Sequence, residues 1–250
     1  MATAPSAVRY STANVANDSA AQSFAWEEGI PVNKFWDSLS FCTSRNFLRN
    51  FSAAELAALP IDAASSAPDT EKLELLLRLL ETKLSHNDIN ITEQEDNDDD
   101  DGKFNRWNDI CLAIASIQSE LGRLDAAETT IRAMAAARRD KTNLSPLHML
   151  ADHLVKIRKF AEAEAMERPV VQWMDAHPRL GKDSPQALSA RRVLVRALWG
   201  IGGERCAEAQ VLVGEVREIV AGMGEGRFGV YQQEERELVE ELVVALGMEG

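Results

Sequence analysis

Apolar residues along this chain recur at helical spacing, and from residue 104 onward the recurrence is itself repeated. Leu73, Leu76, Leu77, Leu80 and Leu84 follow an i, i+3, i+4, i+7 pattern and predict one amphipathic helix, started by Asp69 or Thr70. Ser52-Ala-Ala-Glu55 is a capping box that opens a shorter helix, which Pro60 stops. Beyond Phe104 the helical pattern is continuous. It contains three pairs of alanines twelve positions apart: Ala115 and Ala127, Ala151 and Ala163, Ala197 and Ala209. Between each pair stands one apolar residue at a fixed place, Leu124, Phe160 or Cys206. Each unit reads as helix, tight turn, helix, with an alanine wherever two axes approach too closely for a larger side chain.

The predicted helices run from about 104 to Leu121, from Asp125 to Arg139, from Ser145-Pro146, from Ala161, from Ser184-Pro185, and from Ala207 to Val220. Gly122 supplies the first turn. Serine followed by proline suits a cap and first helical position, whereas Pro169 is expected to kink or divide its helix. Ala221–Gly229 is a glycine-rich connector, and Tyr231–Leu246 is a last helix with Leu238, Leu242 and Leu246 on one face, closing the open end of the array.

On these residues the stretch 104–220 resembles the tetratricopeptide repeat family, in which two positions per unit are small and another, held here by Met134, Val170 and Val216, is small or apolar. Leu180–Trp199 resembles the kinesin-light-chain type through Gly181, Pro185 and Leu188, with Ser184 and Ala187 replacing that pattern's His and Thr. The sequence departs from the family where Glu167 and Arg196 stand at apolar positions, and where the second turn lacks glycine. Spacings of 36 and then 46 residues make the units divergent. The fold expected is therefore all-α: an antiparallel helix-pair superhelix with an N-terminal helical extension and a C-terminal capping helix.

The resemblance implies a concave groove lined by the first helix of each pair, binding a peptide or protein. The groove positions are Asp109, Leu112, Ser116 and Glu120, then His148, Asp152 and Lys156, then Arg191, Leu194 and Leu198. Lys156 or Arg191 could clamp a ligand carboxylate. Two alternatives stand beside the adaptor reading. In one, an inter-helix pocket binds a small molecule or performs catalysis, with His148 and Asp152 as an acid/base pair and His153 adjacent. In the other, residues 24–51 lie in the groove and hold the protein inhibited.

Composition adds boundaries. Residues 1–23 lack periodicity and predict a disordered end, while 24–51 concentrate Phe24, Trp26, Phe35, Trp36, Phe41, Phe47 and Phe51, a density that calls for packing, in the first place on the chain's own core. The domains expected are 1–23, 24–86, an acidic disordered loop at 87–103, and a repeat domain at 104–250. Seven acidic residues fall between Glu93 and Asp101. Asn97, Asp99, Asp101 and Gly102 start a calcium-loop pattern, but Asn108 stands where its bidentate Glu belongs, so a solvated loop is preferred.

The formal net charge is −13, of which −11 belongs to residues 1–102. This balance argues against nucleic acid and anionic membranes as partners. Cys42, Cys111 and Cys206 form no metal-like spacing, and their odd number in a chain this long points to reduced thiols in the cytoplasm, or the nucleus. No nucleotide, zinc-protease or hydrolase motif occurs, and no cofactor is implied.

Overall fold

The computed structural model describes residues 8–9, 29–61, 64–86, 98–137 and 142–248. The described chain is almost entirely α-helical and divides into two compact units, residues 1–137 and 138–250. None of the described helices is long and apolar enough to cross a membrane.

Unit 1 contains α1 (Phe41–Leu48), α2 (Ala53–Ala58), α3 (Asp69–His86), α4 (Asp98–Glu120) and α5 (Leu124–Ala137). The capping box forms at α2, where Ser52 Oγ accepts from Glu55 N and Glu55 Oε2 accepts from Ser52 N. Lys83, bonded to Glu55, and then Ser52 hold the Glu55 carboxyl down at about 2. Leu73, Leu76, Leu77 and Leu80 of α3 form one core with Phe35, Trp36 and Phe47 and with Ile110, Ile114 and Ile117 of α4. The aromatic segment thus packs on its own unit as far as it is described; Phe24 and Trp26 lie outside the described residues. Lys72 is buried in this core, where its Nζ donates to Lys34 O and Ser38 Oγ, at 3.0 and 2.7 Å.

Three sequence expectations change here. Helix α4 begins at Asp98, so 98–103 are helical and not loop; residues 87–97 lie outside the described set. Of the expected disordered end at 1–23, only Val8–Arg9 is described, as a short strand antiparallel to Ile30–Pro31. The α4–α5 pair, grouped from sequence with the later pairs, belongs to the compact unit of α1–α3.

Unit 2 contains α6 (Ser145–Lys156), α7 (Phe160–Ala176), α8 (Pro185–Ile201), α9 (Glu204–Gly222) and α10 (Gln232–Leu246), with short 3-10 turns at Met223–Glu225 and Gly229–Tyr231 in the glycine-rich connector. Each helix packs on the next, and α6 with α8 and α8 with α10 also touch, the contact pattern of hairpins laid side by side. All six repeat alanines are at most 2% exposed, as close helix crossings require, and Met134, Val170 and Val216 are buried with them.

The two turns at Gly122 and Arg158 match bond for bond. Arg123 N donates to Gln118 O and Gly122 N to Ser119 O, and thirty-six residues later Lys159 N donates to Leu154 O and Arg158 N to Val155 O. Both turn residues are left-handed, Gly122 at φ 72° and Arg158 at φ 64°, so the second copy keeps the conformation without the glycine. Ser184 caps α8 through Ala187 N. Ser145 does not cap α6; Asn143 Oδ1 takes its N–H, and the helix starts at Ser145 itself. Pro169 does not divide α7, which runs through it. On α10 the buried stripe is Glu235, Val239, Leu242 and Val243, with Leu238 and Leu246 half-buried.

Candidate functional site

The groove residues of α4 face α1. Asn46 Nδ2 donates to Ser116 Oγ at 3.1 Å, Asn50 Nδ2 to Asp109 O at 3.1 Å and Thr43 Oγ1 to Glu120 Oε1 at 2.6 Å, with Ser40 Oγ on the same carboxylate oxygen. As the α1 number rises the α4 number falls, so the helices run antiparallel and α1 covers part of this stripe. Leu112 is half-buried on the same helix, and burial raises the Asp109 carboxyl against the pull of Arg49. In unit 1 the expected groove is partly covered: Asp109, Leu112 and Ser116 are half-buried, while Glu120 stays exposed.

The α8 positions are not available. Arg191, Leu194 and Leu198 are all buried, because α8 is contacted by α6, α7, α9 and α10 and is central to unit 2. Arg191 forks onto both oxygens of Asp175 in α7, at 2.9 and 2.7 Å. A central helix has little free face, so the repeat register overstates what α8 presents.

The α6 positions do come together, and they gather further charges. His148 Nδ1 lies 2.6 Å from Glu167 Oε1 of α7. Lys156 Nζ is 2.8 Å from one oxygen of Asp152, and Arg196 Nη1 of α8 is 3.6 Å from the other. Arg192, also on α8, pairs with Glu235 of α10 in the interior. Spacing of four residues puts His148, Asp152 and Lys156 on one α6 face. The side chain of Lys156 is 54% exposed and that of Arg196 is 39% exposed, so this end of the cluster is accessible.

The opposite end is closed. Glu167 is 0% exposed, and its Oε2 has no hydrogen-bond partner. Burial raises the Glu167 carboxyl, opposed by His148 and assisted by the Asp152 charge. For His148, burial pulls the imidazole down, but the hydrogen bond and charge of Glu167, with Asp152, outweigh it and Arg192, and hold it above the ordinary value. Burial likewise opposes ionisation of Asp152, yet Lys156, His148 and Arg196 leave it below the ordinary carboxylate value.

The acid/base pairing expected between His148 and Asp152 is replaced by one between His148 and Glu167; Asp152 meets Lys156 and Arg196 instead. His153 is buried. Sequence reasoning therefore missed Glu167, Arg192, Arg196 and Glu235 as members of the site. The signal for two of them was present, since Glu167 and Arg196 are the charged residues noted at apolar repeat positions. Among the described residues no group of His, Cys, Asp and Glu is placed to hold a metal ion. A separate hollow of about 160 Å³ lies between α9 and α10, lined by Arg217, Val220, Ala221, Arg236, Val239 and Glu240. Compared with known proteins, the chain matches no family model, no curated protein and no solved structure.

Proposed function

We propose that the helix pairs are divergent tetratricopeptide-like units and that the protein is an interaction adaptor, capturing a peptide or protein partner on the α6/α8 face of unit 2. The observation that carries this reading is the pair of accessible cations, Lys156 and Arg196, held apart by the two oxygens of Asp152. An ammonium has three donors and a guanidinium five, so each keeps donors for a ligand carboxylate after serving Asp152. The repetition of the Gly122 turn at Arg158 and the burial of the six alanines support the repeat assignment.

The reading in which residues 24–51 occupy a groove draws on α1 seated along Asp109, Ser116 and Glu120. That helix also places Phe47 at the centre of the unit 1 core, which favours a permanent structural element over a removable inhibitor and leaves unit 2 to meet the partner. Selection of displayed peptides on the full-length chain tests the adaptor reading. Enrichment of peptides with a carboxylate at a fixed place is expected, and it should disappear when the chain carries Lys156→Glu. Enrichment without a carboxylate, or indifferent to that change, would contradict it.

A further inference from the structure

Glu167 is an expensive residue to bury in a helical core. One carboxylate oxygen touches His148 Nδ1 at 2.6 Å, the other has no partner, and the residue is closed to solvent. A carboxylate half-satisfied in this way is stable there only while a proton or an imidazolium compensates it. The pair spans two helices, since His148 lies near the start of α6 and Glu167 in the middle of α7. Two residues beyond Glu167, Pro169 has no N–H to give to the carbonyl of Ala165, so α7 lacks one rung of its ladder beside the buried acid.

We propose that His148 and Glu167 form a proton-operated latch between α6 and α7, closed while the pair holds one proton and loosened when that proton leaves. With the proton present, the arrangement is either imidazolium with carboxylate or imidazole with carboxylic acid, and both leave one strong bond across the interface. Without it, a neutral imidazole has only an Nδ1–H to give to Glu167, a weaker bond than the charge-assisted one, and the carboxylate charge lies in the interior beside Asp152 of α6 with no opposing charge on the ring. Arg192 of α8 is a cation whose charge reaches His148, but it is committed to Glu235 of α10, while Arg196 of α8 and Lys156 are committed to Asp152. Neither arginine forms a hydrogen bond or ion pair to Glu167 that could replace the imidazolium.

The direction follows from linkage. The folded-state values of both His148 and Glu167 are raised, so the folded unit binds more protons than the unfolded chain. Stability from His148 is complete below its ordinary value and is lost as pH rises through the folded one. Glu167 acts with the same sign from lower pH, whereas Asp152, whose value is lowered, has gained its full contribution before that window opens.

The test follows the His148 ring by NMR in the full-length chain, which has only four histidines, together with thermal melts between about pH 6 and 9. His148 is expected to titrate above the ordinary histidine value and to fall by about one unit or more in Glu167→Gln. That variant should also lose at least about half of the wild-type decline in Tm across the window, and α6 amides should lose hydrogen-exchange protection faster than α9 amides as pH rises. If Glu167→Gln does not fold, Asp152→Asn keeps the pair and should give a smaller downward shift. A His148 that titrates at or below 6.5 in the wild type, or Tm and protection profiles indifferent to Glu167→Gln, would overturn the latch.

Discussion

Arg158 occupies a left-handed backbone position that its counterpart turn gives to glycine. A side chain with a Cβ is strained there by about 1–2 kcal/mol, less what glycine's freer unfolded chain would give back. Arg158→Gly is therefore expected to stabilise unit 2 by ~1 kcal/mol, read from urea denaturation of the full-length chain. Gly200 carries the opposite lesson. In an exposed helix interior, alanine outperforms glycine by about 1 kcal/mol. Here a Cβ on Gly200 would fall 2.5 Å from the Phe160 ring, so Gly200→Ala is expected to destabilise by roughly 1–3 kcal/mol in the same measurement. Only the first shows in the sequence, as a turn without the glycine of its counterpart, though not that the backbone keeps the same conformation; the second lies outside the pattern altogether.

At the scale of elements, much was legible because helical periodicity and small residues are both local signals. The α3 stripe, the α2 capping box and the burial of the six alanines could be read from spacing alone, since each follows from which side chains share a face. What spacing could not supply was which face another helix would cover. Arg191, Leu194 and Leu198 read as groove residues because the register assumes that the first helix of a pair keeps a free side; α8 is surrounded by four helices and does not. Asp109, Ser116 and Glu120 meet a different circumstance, since α1 arrives from about seventy residues earlier in the chain to bond with them and no local rule places it. The departures at Glu167 and Arg196 were visible as exceptions, and their meaning emerged only once His148 and Asp152 stood next to them. Pro169 is another such exception. Because α7 continues through it and the residue is exposed, Pro169→Ala is expected to restore a rung and stabilise the helix by ~1–3 kcal/mol. Higher hydrogen-exchange protection across 165–170 would report it.

Over the whole molecule, charge is divided as unevenly as structure. Residues 1–102 carry −11 of the net −13, leaving residues 103–250 close to neutral, so an acidic ligand meets less repulsion from the C-terminal portion than from the N-terminal one. The accessible cations of the α6/α8 face lie in that portion, and in unit 1 the corresponding α4 stripe is bonded to α1 and partly covered. The adaptor reading thus rests on Lys156 and Arg196 acting together on a carboxylate. Fluorescence anisotropy of a display-selected peptide, titrated with the full-length wild type, Lys156→Glu and Arg196→Glu, addresses it directly. Each reversal is predicted to weaken binding by about tenfold or more, equivalent to ~1.4 kcal/mol, and amidating the peptide's carboxylate should weaken wild-type binding by a similar factor. Affinities that agree within about twofold across the three proteins would contradict the account.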